Sequence, residues 1–322
     1  MIQSSHHHRP NRLLVTGANG FIGSRVLDRL AAECCEAVGA VRQGAMKHPG
    51  WTKWMHGPDL GPDADWEPLL TGTDVVIHTA ARVHMMQEDS NTAGEAHRLV
   101  NTQGTLALAR QAAAAGVRRF IFISTIKVMG EQSRRPFRAG DTPAPSDAYA
   151  RSKLDAEQGL EAIGHESGME WVIIRPPLVY GPGVGGNFAT LVKWLARGIP
   201  LPLGAIDNRR SLVARDNLVD LIATCVDHPA AANRTFMVSD GEDLSTTALI
   251  RRLSEAMEIR PWLIPVPARA LLRVGRLLGQ GPLLERLCGD LQVDIEDTKS
   301  RLGWHPRIDV DTGLRQALME PR

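Results

Sequence analysis

The sequence is poor in the residues that mark several protein classes. Its four cysteines form neither a CxxC pair nor a Cys/His spacing typical of zinc ligands. Lysine and arginine number 37 against 36 aspartates and glutamates, and this balance argues against nucleic acid as a partner. No run of 18 apolar residues occurs, so no membrane-spanning helix is predicted.

These absences also bear on location and on metal binding. The cysteines are Cys34, Cys35, Cys225 and Cys288. Cysteines without a disulfide framework are typical of a reducing compartment, and the N-terminus lacks an apolar signal region, so we expect a cytoplasmic protein. A histidine run at 6–8 has no distal acidic or thiolate partner. We therefore expect no metal site.

The first informative feature that is present is a glycine turn between a strand and a helix. RLLVT (residues 12–16) predicts a strand, and SRVLDRLAAE after GANGFIG has a helical pattern. Gly17, Gly20 and Gly23 lie three residues apart, which lets the backbone approach a pyrophosphate at the helix N-terminus. A glycine turn without a ligand is the alternative. Its place after the first strand favours dinucleotide binding.

The end of the next predicted strand, EAVGAVR, bears on the choice of dinucleotide. Dinucleotide-binding folds usually carry an acid there for the ribose 2′-hydroxyl. Here Val41 is followed by Arg42, which can pair with a 2′-phosphate. We expect a preference for NADP(H), with NAD(H) as the alternative. An exposed arginine without a ligand is the third interpretation.

Strand and helix patterns alternate over the first half of the chain. Buried strands are predicted in TDVVIHTAA (73–81), RRFIFIST (118–125) and WVIIRPPLVYG (171–181). Helical segments separate these strands. One of them is AHRLVNTQGTLALARQAAAAG, which is predicted to end at Gly116. This alternation predicts an α/β fold with a Rossmann-type, doubly wound parallel sheet.

The segment SDAYARSKLDAE (146–157) places Tyr149 and Lys153 four residues apart. Asp147 is one of several residues there that offer a helix N-cap, and residues i and i+4 share a helical face. A phenol has an unperturbed pKa of about 10, but a neighbouring ammonium and a cationic nicotinamide would lower it. The pair is therefore a candidate acid/base. A chance YxxxK on a surface helix is the alternative.

Together these motifs resemble the extended short-chain dehydrogenase/reductase family, in its nucleotide-sugar epimerase/dehydratase branch. The glycine turn, VVIHTAA, the Ser124–Thr125 pair, the Tyr149/Lys153 pair and RPPLVYGPG carry the resemblance. It implies that Tyr149 donates and accepts the proton and that Lys153 binds the nicotinamide ribose. It also implies that Thr125 binds the reacting oxygen, while Ser124, a further candidate catalytic residue, touches the cofactor.

The same resemblance implies a larger set of contacts. To the cofactor it assigns Gly17, Asn19, Gly20, Phe21, Ile22, Gly23, Arg42, Asp59, Leu60, Thr79, Ala80, Ala81, Asn101, Ser124, Tyr149, Lys153 and Pro176. To the substrate it assigns Thr125, Asn187, Phe188 and Arg210. The guanidinium of Arg210 would bind a diphosphate, with Arg209 and Arg215 as alternatives. Asp216 and Asn217 are expected to fix a helix start.

The resemblance also implies two domains and a dimer. Residues 11–174 would form the NAD(P)-binding Rossmann domain, with parts of the later chain returning to it. Residues 175–322, which begin in a stretch rich in Gly and Pro, would form mainly a smaller α/β substrate-binding C-terminal domain. The basic amphipathic segment 269–287 could lie on anionic lipid or dock on its own domain, and we expect no stable membrane insertion. Relatives often form homodimers.

Departures from the family pattern reduce the number of reactions that the sequence supports. Ile126 and Lys127 stand where sugar 4,6-dehydratases carry Asp-Glu, which argues against a dehydratase. Met129 and Leu178 replace a tyrosine and an asparagine of many relatives. The motifs are most similar to bacterial O-antigen enzymes that reduce a UDP-4-keto-6-deoxy-N-acetylhexosamine to UDP-N-acetylquinovosamine, so an NADP(H)-preferring 4-ketoreductase is the leading hypothesis. The alternatives are a UDP-hexose or UDP-N-acetylhexosamine 4-epimerase with tightly bound NAD, and a non-catalytic NADP-sensing regulator.

Overall fold

The computed structural model describes residue 10 and residues 12–33, 36–42, 53–83 and 90–319. Cys34, Cys35 and the histidine run at 6–8 lie outside these residues. The strands are β1 (Arg12–Thr16), β2 (Glu36–Arg42), β3 (Trp54–Gly57), β4 (Val75–His78), β5 (Arg119–Ile123), β6 (Glu170–Arg175), β7 (Leu178–Tyr180), β8 (Arg210–Ala214), β9 (Arg234–Met237) and β10 (Asp243–Leu244).

The helices lie between these strands and after them. They are α1 (Gly23–Ala31), α2 (Glu67–Leu70), α3 (Ser90–His97), α4 (Thr105–Ala114), α5 (Ala148–Ser167), α6 (Gly186–Ala196), α7 (Arg215–Asp227), α8 (Thr246–Ala256), α9 (Ala268–Leu277), α10 (Gly281–Cys288), α11 (Glu296–Leu302) and α12 (Val310–Ala317). Within the described part of the chain, no helix is long and apolar enough to cross a bilayer.

Seven strands form one sheet in the order β3-β2-β1-β4-β5-β6-β9. All of its pairings are parallel, and the strand order reverses between β1 and β4. The predicted Rossmann-type α/β fold is therefore confirmed. Ligands of such sheets bind at the carboxyl ends of the strands, next to the point of reversal. The glycine turn after β1 and Ser124 after β5 both lie at this edge.

The predicted strand 171–181 is wrong as a single element. The structure divides it into β6, in the seven-stranded sheet, and β7, in a second sheet ordered β10-β8-β7. Pro176 and Pro177 separate the two strands, and proline has no backbone N–H with which to continue a sheet. Tyr180, Phe188 and Leu244 belong to a separate apolar cluster around this second sheet, which we call the second core.

The long helical pattern before Gly116 contains an interruption. Residues Arg98–Gly104 are π-helical and join α3 to α4. Gly116 has a φ of 79° and follows the C-cap Ala115, as its sequence position predicts. Because a π-helical turn adds a residue to the helix, it changes which side chains face the sheet edge. Asn101 lies within it.

Candidate active site

The glycine turn lies in close contact with the end of β4. Gly17 has a φ of 67°, a conformation that favours glycine, and a Cβ there would lie 2.7 Å from the amide nitrogen of Ala80. The amide of Gly20 donates to the carbonyl of Gly17 at 2.8 Å. Thr79 Oγ1 donates to the Thr16 carbonyl at 2.7 Å, which fixes the end of β4 beside the turn. The exposed backbone of this turn fits a dinucleotide pyrophosphate.

Substituting alanine for Gly23 tests the cradle. The new Cβ would meet the Gly17 carbonyl oxygen and would lie 2.7 Å from Thr79 Oγ1, so the turn must open. We expect coenzyme affinity, measured by fluorescence titration, to fall at least about 10-fold. The reason is that moving the backbone to relieve this steric overlap costs on the order of 1–3 kcal/mol. Gly140→Ala is the matched control, since a Cβ there would meet nothing within 4 Å. Equal coenzyme affinity in the two variants would show that the cradle has no role.

Other predicted cofactor residues lie at the same edge of the sheet. Arg42 is the exposed last residue of β2. Asp59 and Leu60 follow the end of β3, and the close packing of Gly104 against Leu60 holds this loop to the helix. Asn101 accepts from the amide of residue 82 at 2.7 Å, so its side chain supports the loop after β4. Ala81 lies in that loop, and the half-buried Ile22 is the residue before α1.

The turn after β5 presents two hydroxyl groups. Ser124 is buried, its amide donates to the Ile174 carbonyl at 2.8 Å, and its Oγ has no hydrogen-bond partner among the residues that the structure describes. Thr125 is half-buried, and its Oγ1 accepts from the Lys127 amide at 3.3 Å. Pro176 accepts from the Ile126 amide at 2.9 Å, which holds this turn against the end of β6. A buried hydroxyl without a partner fits a role in binding a ligand.

Tyr149 and Lys153 both lie on α5, as predicted, and Asp147 caps that helix. Asp147 Oδ1 accepts from the Ala150 amide at 2.7 Å. The ionisation of Tyr149 in the protein without coenzyme is set by its surroundings. Burial, and then the negative charge of Asp147, raise the pKa of Tyr149 to about 12. Without further positive charge the phenol stays protonated, so it is a proton donor.

Lys153 is buried beneath the same edge of the sheet. Its Nζ lies 3.9 Å from the centre of the Phe122 ring, and burial lowers its pKa to about 7. The ring of His78 stacks on the ring of Phe122, with the two ring centres 5.8 Å apart. Burial and the charge of Lys153 lower the pKa of His78 to about 3, so the imidazole is neutral. The donors of Lys153 fit the ribose hydroxyls of a nicotinamide nucleotide.

An ion pair that the sequence analysis missed anchors α5. Arg175, the last residue of β6, binds Glu157 with Nη2 to Oε2 at 2.6 Å and Nε to Oε1 at 3.1 Å. Both side chains are buried, and Nη1 of Arg175 lies 3.1 Å from the sulfur of Met129. Glu157 follows Lys153 by four residues, and its charge favours the protonated amine. Arg175 and Glu157 are 18 residues apart, so no helical spacing signals their pairing.

The predicted substrate residues are divided between two environments. Asn187 is exposed in the first turn of α6, where a diphosphate could reach it. Phe188 is buried and stacks on Tyr180, with ring centres 5.9 Å apart, so its side chain serves the second core. Arg210 Nη1 donates to the carbonyls of Arg286 at 2.7 Å and Gly289 at 3.0 Å.

The alternatives for the diphosphate-binding arginine lie elsewhere. Arg215 lies 5.1 Å from the centre of the Phe21 ring and donates to the Pro182 carbonyl at 2.9 Å, so it borders the glycine turn. Asn19 and Gly20 are the exposed residues of that turn.

Asp216 and Asn217 lie in the first turn of α7, which begins at Arg215. Asp216 pairs with Arg25 at 2.8 Å. Asn217 donates to Asp240 Oδ1 at 2.7 Å and accepts from the Ile308 amide at 3.0 Å. Both residues therefore tie α7 to its neighbours.

The described residues contain no cluster of His, Cys, Asp or Glu able to hold a metal ion. They do contain a dinucleotide cradle, a buried lysine, a protonated tyrosine and a buried serine hydroxyl. Residues 13–239 match the sequence profile of the NAD dependent epimerase/dehydratase family. The chain belongs to this family. It is a NAD(P)-dependent sugar-nucleotide enzyme of the extended short-chain dehydrogenase/reductase type.

Members of this family differ in reaction. The chain is 45% identical over 311 residues to UDP-glucose 4-epimerase of Vibrio cholerae, covering 95% of this chain and 94% of the relative. It is 27% identical over 325 residues to GDP-6-deoxy-D-mannose reductase of Pseudomonas aeruginosa, covering 96% of each. The solved structure of UDP-glucuronic acid 4-epimerase from Bacillus cereus in complex with NAD aligns with a TM-score of 0.77 at 20% identity, over 95% of this chain and 96% of that chain. This last likeness shows the shared fold.

Proposed function

We propose that this enzyme reduces a 4-keto sugar nucleotide, with hydride delivered to C4 and a proton delivered to the C4 oxygen. The preference for a reductase over an epimerase rests on Arg42. It stands at the end of β2, and residues 37–58 contain no aspartate or glutamate that could bind a ribose 2′-hydroxyl. A 2′-phosphate suits this position better, and NADPH is an exchangeable reductant for net reduction.

The proposed chemistry divides among four side chains. A nicotinamide coenzyme supplies the hydride when it is bound. Tyr149 gives its proton to the C4 oxygen as charge develops there, and its high pKa keeps that proton available at neutral pH. Thr125, or the buried Ser124, donates a hydrogen bond to the same oxygen. Lys153 holds the nicotinamide ribose and, when charged, stabilises the phenolate left by transfer.

We further propose that the substrate is a UDP-4-keto-6-deoxy-N-acetylhexosamine and the product UDP-N-acetylquinovosamine. One support is the similarity of the sequence motifs to those of enzymes that catalyse this reduction. A second support lies at the start of β7, where Leu178 is 45% exposed and presents an apolar side chain instead of an amide. Asn187 at the N-terminus of α6, with Arg210 or Arg215, would bind the diphosphate. The test is to mix purified enzyme, NADPH and the 4-keto sugar nucleotide and follow the reduced-nicotinamide absorbance. No loss of absorbance with any 4-keto sugar nucleotide would refute the proposal.

A 4-epimerase is the second candidate, because the 45% identical relative carries that name. An epimerase would oxidise and re-reduce C4 with the same Tyr149 and a retained NAD. Mass spectrometry of the ligand released from purified protein separates the two. Released NAD together with interconversion of UDP-hexoses, without net change in nicotinamide absorbance, would favour the epimerase.

Replacing Arg42 with alanine tests the coenzyme preference. A charge-assisted hydrogen bond to a phosphate contributes about 1.5–3 kcal/mol, so we expect the ratio of kcat/KM for NADPH over NADH to fall about 10- to 100-fold. Arg234→Ala is the matched control, since Arg234 is also an exposed arginine at a strand end. A ratio that changes equally in both variants would remove Arg42 as the determinant.

We also propose that the enzyme is a cytoplasmic homodimer. The resemblance to dimeric relatives supports this assembly, and α4 and α5, which pack so closely that a Cβ on Gly159 would lie 2.6 Å from Leu106, are the helices we assign to it. Two such helices from each protomer would form a four-helix interface. Sedimentation equilibrium should give twice the chain mass of 35.2 kDa. A mass of one chain at micromolar concentration would contradict the proposal.

A further inference from the structure

Two elements carry the candidate catalytic hydroxyl groups, and one residue contacts both, through its backbone on one side and its side chain on the other. Thr125 begins the turn after β5, and Tyr149 lies in the first turn of α5. Lys127 accounts for the connection. Its amide donates to Thr125 Oγ1 at 3.3 Å, while its Nζ lies 2.9 Å from Asp147 Oδ2. Asp147 caps α5 through its other oxygen, so Lys127 binds the cap of the helix that presents Tyr149.

The same ammonium reaches towards the second core. Lys127 Nζ also lies 3.0 Å from Glu131 Oε1, and Glu131 Oε2 lies 3.3 Å from Arg286 Nε on α10. The Arg286 carbonyl in turn accepts from Arg210 Nη1 at 2.7 Å. Three ion pairs therefore run from the cap of α5 to a helix packed on the second core. We name Asp147, Lys127, Glu131 and Arg286 the clasp.

The clasp is built differently from an ordinary surface ion pair. The side chains of Lys127, Asp147 and Glu131 are only 25–33% exposed, and Lys127 serves two carboxylates at once. Asp147 would otherwise place an uncompensated negative charge two residues before Tyr149. Burial raises the pKa of Asp147, but the hydrogen bonds from the Ala150 amide and from Lys127, with the charges of Lys127 and Arg286, outweigh it and keep that pKa below its ordinary value. A linked network of this kind holds geometry better than an isolated exposed pair does.

We propose that Lys127, with Glu131 as its second anchor, is a positioning residue that holds the first turn of α5 against the turn after β5. The phenol of Tyr149 and the hydroxyl of Thr125 then converge on one substrate oxygen. The inference rests on the proposed function for its effect on turnover. The positioning of the α5 cap by Lys127 does not depend on that function. Displacement of a reacting group by about 1 Å can cost on the order of 100-fold in rate.

The test uses Lys127→Met, which keeps the chain length and removes the charge. Lys299→Met is the control, because Lys299 also pairs with a glutamate, Glu296 at 2.8 Å, on the distant helix α11. We expect kcat to fall about 10- to 100-fold in Lys127→Met with KM for the sugar nucleotide within about threefold. Lys127→Arg, which can still bridge two carboxylates, should recover most of kcat. The control should retain wild-type kcat.

Hydrogen exchange separates this inference from the proposed function. Amides in the peptide covering residues 146–157 should exchange faster in Lys127→Met than in the wild type, and at the wild-type rate in Lys299→Met. If the wild type reduces no keto sugar, the proposed function fails, and the exchange result still decides the positioning role. Unchanged exchange in Lys127→Met overturns the inference, as does a kcat within twofold of an active wild type. Glu131→Gln should give a smaller change in the same direction.

Discussion

Substitution of phenylalanine for Tyr149 is expected to lower kcat about 10²- to 10⁴-fold, the range that positioned acid/base groups supply. The substitution removes only the hydroxyl, so the ring keeps its edge-to-face contact with His97, whose ring centre lies 5.8 Å away. Coenzyme affinity should therefore change little. Stopped-flow reduction of the keto sugar under single-turnover conditions, with coenzyme titration beside it, measures both quantities. A kcat within tenfold of the wild type would mean that another group delivers the proton.

The chain provides its own control, because it contains two tyrosines. Tyr180 donates to Asp240 at 2.7 Å inside the second core, and burial and Asp240 raise the pKa of that phenol well above its ordinary value. Tyr180→Phe leaves Asp240 one donor short and should lower the free energy of unfolding by about 1–3 kcal/mol without changing single-turnover rates.

The Tyr180→Phe variant also isolates the ionisation of Tyr149, because one phenol is left to titrate. Its ultraviolet absorbance should give a pKa of about 12 for the protein alone, as burial requires. Oxidised coenzyme should lower that pKa, since a cationic nicotinamide favours the phenolate. An unchanged titration on addition of oxidised coenzyme would remove the phenolate from the mechanism.

Local features were predictable from the sequence because their causes are local. The glycine turn follows from the spacing of Gly17, Gly20 and Gly23, and the seven-stranded sheet from alternating strand and helix patterns. Asp147 was a predictable cap because it precedes the helical pattern of α5. The family followed from several such motifs occurring together in one chain.

Features that depend on distant packing were not predictable in this way. Burial and the charge of Asp147 raise the pKa of Tyr149 in the protein without coenzyme, and neither cause can be read from the spacing of Tyr149 and Lys153. Within the clasp the Lys127–Glu131 pair has an i, i+4 spacing, but Asp147 and Arg286 are far from Lys127 in sequence, so no local spacing reveals the whole network. Pro176 and Pro177 mark the break between β6 and β7 in the sequence. The apolar pattern on both sides nevertheless predicted a single strand over residues 171–181.

Replacing Lys153 with methionine is expected to remove activity and yet stabilise the protein in the absence of coenzyme. Lys153 is buried, and its pKa falls from 10.5 to about 7 because burial penalises its charge. An apolar side chain of similar length avoids that cost and keeps the contact with Phe122. We expect the free energy of unfolding at pH 7 to rise by about 1–4 kcal/mol, while kcat falls at least about 100-fold.

The stability gain should depend on pH in a defined direction. Between pH 7 and pH 10.5 the unfolded chain carries a proton on Lys153 that the folded chain does not, so wild-type stability rises with pH in this window. The contribution reaches at most about 1.4 kcal/mol per pH unit. Lys153→Met removes this slope, so the two stability curves should converge as the pH approaches 10.5.

Urea unfolding at several pH values, with coenzyme absent, measures both curves. Lys193→Met is the matched control, because Lys193 is an exposed lysine on α6 and its removal should leave the slope unchanged. Since Lys153 destabilises the protein by itself, its presence is explained by ligand binding, where ribose hydroxyls and the developing phenolate stabilise the charge. A Lys153→Met protein that is less stable than the wild type at pH 7 would show instead that Lys153 serves the fold.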